Sequence, residues 1–107
     1  MKGTRLPVVD GRPTFPTVPG EYCGPVMGYT GDKPAVFFLK PNARDAGAPA
    51  LARTIQHVTS PPHAFTEEDD GTLTIRASLG DMHVCGDGET RSDGWHGWLT
   101  RGEWVLA

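Results

Sequence analysis

The sequence predicts a mainly β domain, a small antiparallel sandwich or roll with a Pro/Gly-rich N-terminal arm. Three observations carry this expectation. Fourteen glycines and ten prolines in 107 residues disfavour a helical bundle, because proline removes a donor and fixes φ. Two tight-turn signals, Asp70-Gly71 and Arg101-Gly102, each stand between short runs of strand-forming residues. Apolar content is only 37%, so three Trp, four Phe and two Tyr must supply much of the core.

The length is that of one domain, residues 1–107, able to bury roughly 60–70% of the surface its unfolded chain exposes. Residues 1–34 carry six of the prolines and six of the glycines and are expected to form an extended arm, with short pieces such as Leu6–Val9 and Val26–Tyr29. Residues 35–107 form the expected β core. It opens with Ala35–Leu39, a continuous apolar run short enough to be a buried strand. Pro41–Ala52 follows as a loop with a short helical turn at most; Asn42 is a cap candidate, and Gly47 and Pro49 interrupt anything longer. Arg53–Thr59 reads as a strand from its β-branched residues, ended by Ser60-Pro61-Pro62.

Ala64–Glu68 and Thr72–Ser78 flank the Asp69-Asp70-Gly71 turn. By alternation Leu73, Ile75, Ala77 and Leu79 share one face, and Thr74, Arg76 and Ser78 the other. The acidic run Glu67–Asp70 is expected at a solvated loop tip. Gly80–Gly94, rich in Gly and Asp, reads as a long loop. Trp95–Thr100 and Glu103–Leu106 then form the closing hairpin, with Trp95, Gly97 and Leu99 on one face and His96, Trp98 and Thr100 on the other.

Charge and composition narrow the function classes. Net charge is −3, and lysines and arginines are scattered singly, so the electropositive footprint of a nucleic-acid binder is not expected. No segment approaches the ~20 apolar residues of a membrane span, and the N-terminus lacks the apolar run of a signal peptide. Cys23 and Cys85 allow at most one disulfide; reduced thiols and a cytoplasmic location are expected, and the expected partner is a protein or peptide.

Ser78 and His96 are the leading candidates for chemistry. Both lie near strand ends in sequential hairpins, opposite the main apolar residues of their strands. An imidazole within about 2.6–3.2 Å of a serine accepts its proton. Asp81, Asp87 or Asp93 would orient the ring, although no nucleophile-elbow motif surrounds Ser78. A polar face residue and a backbone-bonded histidine are the plainer interpretation of the pair. A zinc site from His83, Cys85 and His96, with His57, His63 and Cys23 as distant additions, is a weaker candidate, since no C-x-x-C pair or H-E-x-x-H helix is present. Trp95, Trp98 and Trp104 suit either a stacking surface or the core and rim of the C-terminal hairpin.

His57–Asp81 (HVTSPPHAFTEEDDGTLTIRASLGD) and Ser92–Ala107 (SDGWHGWLTRGEWVLA) together resemble a domain family of uncharacterised function from actinobacteria and their phages. Its members also carry the label "ammonia monooxygenase", and the resemblance covers about two thirds of the chain. Related domains accompany bacterial ubiquitin-like conjugation operons as peptidase-like components. The resemblance implies Ser78 as nucleophile and His96 as base, in host cytoplasm or virion for a phage-encoded member. Two departures stand out: Arg76-Ala77-Ser78 replaces the Ser-Pro-Ser of many members, and an upstream cysteine-rich segment is reduced to Cys23-Gly24-Pro25. A non-catalytic structural or protein-binding module is the alternative from another class. No ligand set or membrane span suited to a monooxygenase is visible.

Overall fold

The computed structural model describes residues 1–107. Twelve short strands and two 3₁₀ turns build it: β1 (Thr4–Leu6), β2 (Val8–Val9), β3 (Arg12–Pro13), β4 (Glu21–Val26), β5 (Ala35–Phe38), turns at Pro41–Arg44 and Ala50–Arg53, β6 (Gln56–Thr59), β7 (Ala64–Glu67), β8 (Leu73–Leu79), β9 (Met82–Val84), β10 (Thr90–Ser92), β11 (Gly97–Thr100) and β12 (Glu103–Leu106). The mainly β class is as the sequence predicts. One four-stranded sheet has the order β1-β4-β5-β6, the other β12-β11-β8-β7; β2-β3 and β9-β10 are small ribbons. All pairings are antiparallel except β1 with β4.

The core lies between the two large sheets. Tyr22, Val36 and Phe38 come from the first, Leu73, Ile75, Leu79, Leu99 and Trp104 from the second, with Trp95 just before β11. Because β5 is covered on both faces, its run reads as continuously apolar. Val36 and Phe38 enter the main core; Ala35 and Phe37 pack with Val26 in a second cluster. Phe15 and Tyr29 stand edge-on to Phe37 at ring separations of 5.1 and 6.0 Å.

Residues 1–34 supply β1 to β4, and Tyr22 and Cys23 on β4 are buried. The N-terminus closes a seam between the sheets. Met1 exchanges backbone bonds with Trp104, and the Gly3 N–H donates to the Gly102 carbonyl, before Thr4–Leu6 joins β4. The Trp104 indole N–H donates to the Gly20 carbonyl at 2.8 Å, which satisfies its one polar atom inside the core. Arg5 adds a second tie, bonding both oxygens of Glu67 and the carbonyls of Gly24 and Gly71. Together with Leu6, Pro7, Val8 and Pro25 these residues line an open groove on the surface.

Several local expectations are corrected. The extended piece placed at Val26–Tyr29 lies upstream, at Glu21–Val26, because the chain turns at Gly28 with φ +86°. Gly24 is required where β4 bulges against β5: a Cβ there would stand 2.6 Å from the Ala35 carbonyl oxygen. Asn42 lies inside the first 3₁₀ turn and is buried; Lys40 holds the cap position. Gly80–Gly94 contains the β9–β10 ribbon, because Asp87 folds its tip by accepting the Glu89 N–H and pairing with Arg91. Regular pairing of the closing hairpin begins at Gly97, two residues after Trp95.

Candidate functional site

β8 is bulged beside the site, and the bulge sets the offset of its two residues. Leu99 pairs with Ile75 and Gly97 with Leu79, so two steps along β11 face four along β8. Arg76, Ala77 and Ser78 therefore all lie opposite Trp98. Extra residues in one strand break its alternation. Ala77, expected on the inner face, is exposed, while Leu79 returns to the core at 0% exposure. The Arg76–Ala77 peptide is cis.

Ser78 and His96 each precede a member of the Leu79–Gly97 pair, so both point away from the core and meet on the diagonal between strands. His96 Nε2 stands 3.0 Å from Ser78 Oγ. His96 is exposed and Ser78 half-buried. The Trp98 ring stacks near the imidazole, with centroids 6.3 Å apart and planes 30° apart. Trp98 is 40% exposed, whereas Trp95 and Trp104 lie in the core, so the three tryptophans divide between rim and interior. On its other side Ser78 is held through its carbonyl oxygen, 3.2 Å from His63 Nε2.

No carboxylate hydrogen-bonds His96. Asp81 accepts the Ser92 hydroxyl at 2.5 Å. That bond chiefly holds the Asp81 carboxyl below its ordinary range, with Lys40 and His96 contributing less. Asp87 pairs with Arg91 on the surface. Asp93 is buried and committed elsewhere: its Oδ2 lies 2.6 Å from both Lys40 Nζ and His83 Nε2. None of the three expected aspartates is the orienting third member.

A second cluster, Lys40–Asp93–His83, has no signature in the spacing of its residues along the sequence. Lys40 and Asp93 side chains are 1% and 0% exposed, and His83 is nearly buried. Desolvation pulls the Lys40 ammonium below the usual lysine range, against the Asp93 carboxylate, which favours its charge. Asp93 Oδ1 also accepts the Trp95 N–H, and the Asn42 amide donates to the Asp93 carbonyl. One signal points here: Val36 and Phe38 face inward from β5, and Lys40, two residues past the strand, continues their alternation into the interior.

His83, Cys85 and His96 do not converge, and no three His, Cys, Asp or Glu side chains gather as a ligand set. His83 Nε2 is taken by Asp93, Cys85 Sγ lies 3.9 Å from the His83 carbonyl, and His96 faces Ser78. Cys23 and Cys85 are both free thiols; Cys23 is buried, its Sγ 3.4 Å from the Pro7 carbonyl. No helix is long and apolar enough to cross a membrane. In comparisons with known proteins, no family model, curated protein or solved structure matches the chain.

Proposed function

We propose that the protein is a serine hydrolase of the peptidase type, with Ser78 as nucleophile and His96 as general base. The observation that carries this reading is the 3.0 Å separation of His96 Nε2 and Ser78 Oγ on an accessible sheet face. At that distance the neutral imidazole accepts the hydroxyl proton as Oγ attacks an acyl carbon. The same nitrogen then returns the proton to the leaving group. In the second half of the cycle it takes a proton from water as the water oxygen attacks the acyl carbon; the Oγ–acyl bond then breaks, the acid leaves, and Nε2 returns the proton to Ser78 Oγ. These are also the two residues implied by the resemblance to the phage and actinobacterial domains. The pair stands on an open face beside Trp98, a position that suits an extended polypeptide better than an enclosed small molecule. Free Cys23 and Cys85 fit the reducing cytoplasm expected for such an enzyme.

The test is turnover of p-nitrophenyl acetate and of a peptide library by wild type, Ser78→Ala and His96→Ala. Turnover lost in both variants, with unchanged circular dichroism, supports the reading. Equal turnover in all three removes it.

A second reading, a non-catalytic protein-binding module, draws support from the exposed apolar side chains of Val8, Val9, Phe15, Val18, Met27 and Tyr29 in the first third of the chain. Binding of a defined protein partner that survives Ser78→Ala but not Phe15→Ser/Tyr29→Ser supports it. The reverse pattern counts against it.

A further inference from the structure

Lys40 is a fully enclosed ammonium two residues beyond β5, at the cap of the Pro41–Arg44 turn, far in sequence from Ser78 and His96. An ammonium has three N–H donors, and all three are used. One goes to the Gly80 carbonyl at 3.0 Å, one to the Trp95 carbonyl at 2.9 Å and one to Asp93 Oδ2 at 2.6 Å. Gly80 lies two residues after Ser78, and Trp95 immediately precedes His96. The two chain ends that carry the pair therefore meet at one nitrogen atom.

The backbone ladder leaves a gap here. The last β8–β11 partners are Leu79 and Gly97, and the two segments rejoin only where the Asp93 N–H donates to the Asp81 carbonyl, ahead of the β9–β10 ribbon; the Lys40 ammonium ties them in between, at Gly80 and Trp95. Asp93 completes the tether. It balances the ammonium charge with Oδ2 and turns the chain into Trp95 by accepting its N–H with Oδ1. His83 Nε2 braces the same carboxylate from the β9–β10 ribbon. A buried charge that only filled space would be replaceable by an apolar side chain of similar volume. Here the charged head is the single donor reaching both carbonyls.

We propose that Lys40 is a positioning residue for the Ser78–His96 pair, its ammonium setting the Nε2–Oγ separation by holding the Gly80 and Trp95 carbonyls to one point. The inference rests on the reading of that pair as the reactive groups.

The experiment compares wild type with Lys40→Met/Asp93→Asn, which removes the tether without stranding a charge. Each is studied with and without Ser78→Ala. The first readout is the His96 Nε2 nitrogen shift. The second is the rate of Ser78 labelling by a fluorophosphonate. The expected result is a His96 shift that responds to Ser78→Ala in the wild-type background and not in the tether-free one. Labelling is expected to slow at least tenfold, with the half-saturating probe concentration unchanged. A His96 shift that responds equally in both backgrounds, or in neither, overturns the proposal. Wild type that never labels, yet shows the expected shift pattern, removes the hydrolase reading and leaves the positioning role standing. Where the tether-free variant does not fold, cross-hydrogen-bond couplings from Lys40 Nζ decide the matter in labelled wild type. Couplings to the Gly80 and Trp95 carbonyl carbons support the tether, and their absence overturns it.

Discussion

Replacing Asp93 by Asn is expected to be the most damaging single isosteric change in the molecule. The substitution keeps the volume and an acceptor for the Trp95 N–H, but it leaves the Lys40 charge buried without its counter-ion. Both side chains are within about a hundredth of full burial, so solvent screening relieves little of this. Breaking such a buried pair from one side costs about 3–5 kcal/mol. For a domain of this size about 1 kcal/mol shifts Tm by roughly 4–8 °C, so a fall of roughly 12–40 °C is expected. Total stability of about 5–15 kcal/mol puts the lower end of that range close to unfolding at room temperature. Most of the loss comes from the stranded charge, so Lys40→Met/Asp93→Asn should recover at least half of it. The pH dependence has a definite sign. The folded-state pKa of Lys40 already lies below lysine's ordinary 10.5, and losing Asp93 lowers it further. The unfolded chain then binds more protons across the window below 10.5, so stability rises with pH there. Asp93→Asn should therefore be less destabilised at pH 9 than at pH 7. The assay is urea unfolding followed by tryptophan fluorescence at both pH values. A cost under about 0.5 kcal/mol, as for an ordinary surface change, would refute the reasoning.

Gly97→Ala places a Cβ 2.1 Å from the Val105 carbonyl oxygen, so it should pry β12 from β11; loss of amide protection across Glu103–Leu106 in hydrogen exchange is the check. Deletion of Met1–Gly3 removes the backbone bonds to Gly102 and Trp104 and should open the seam, seen as faster exchange of the Trp104 amide and indole protons. Arg5 is the main cause of the depressed Glu67 carboxyl, so Arg5→Leu should raise its titration midpoint toward the ordinary glutamate value in carboxyl-detected NMR. The stabilisation in question is present above that ordinary value and lost as pH falls through the folded one, so the variant should show less acid-induced loss from this group; an unmoved Glu67 midpoint would contradict it.

The legible parts of the fold were those where local chemistry and burial agree. Asp70-Gly71 and Arg101-Gly102 marked both hairpins of the second sheet, since Gly71, Arg101 and Gly102 all take positive φ. The AVFFL run marked β5 because burial on both faces removes alternation. Ala77 departs from its expected face for a physical reason: the bulge is set by the pairing of β8 with β11, Ile75 to Leu99 and Leu79 to Gly97, and alternation within β8 alone carries no trace of it. Continuing the Ile75–Leu99 register would set Ser78 directly opposite His96, and the bulge moves the pair onto the diagonal, so the pair is legible as outward-facing residues of neighbouring strands while its offset is not. Lys40, Asp93 and His83 come from the segment after β5, the segment before β11, and β9, and only tertiary folding joins them. The β9–β10 ribbon was hidden because Gly and Asp at its tip resemble an unstructured loop, while its hairpin depends on the Asp87 side chain.

The most direct single measurement is intact-mass analysis of the protein after incubation with a fluorophosphonate, followed by peptide mapping. The expected result is one adduct, on Ser78, that forms in wild type and is lost in His96→Ala. No adduct, or an adduct on Ser78 formed equally fast without the His96 imidazole, would contradict the assignment of these two residues as a working nucleophile and base.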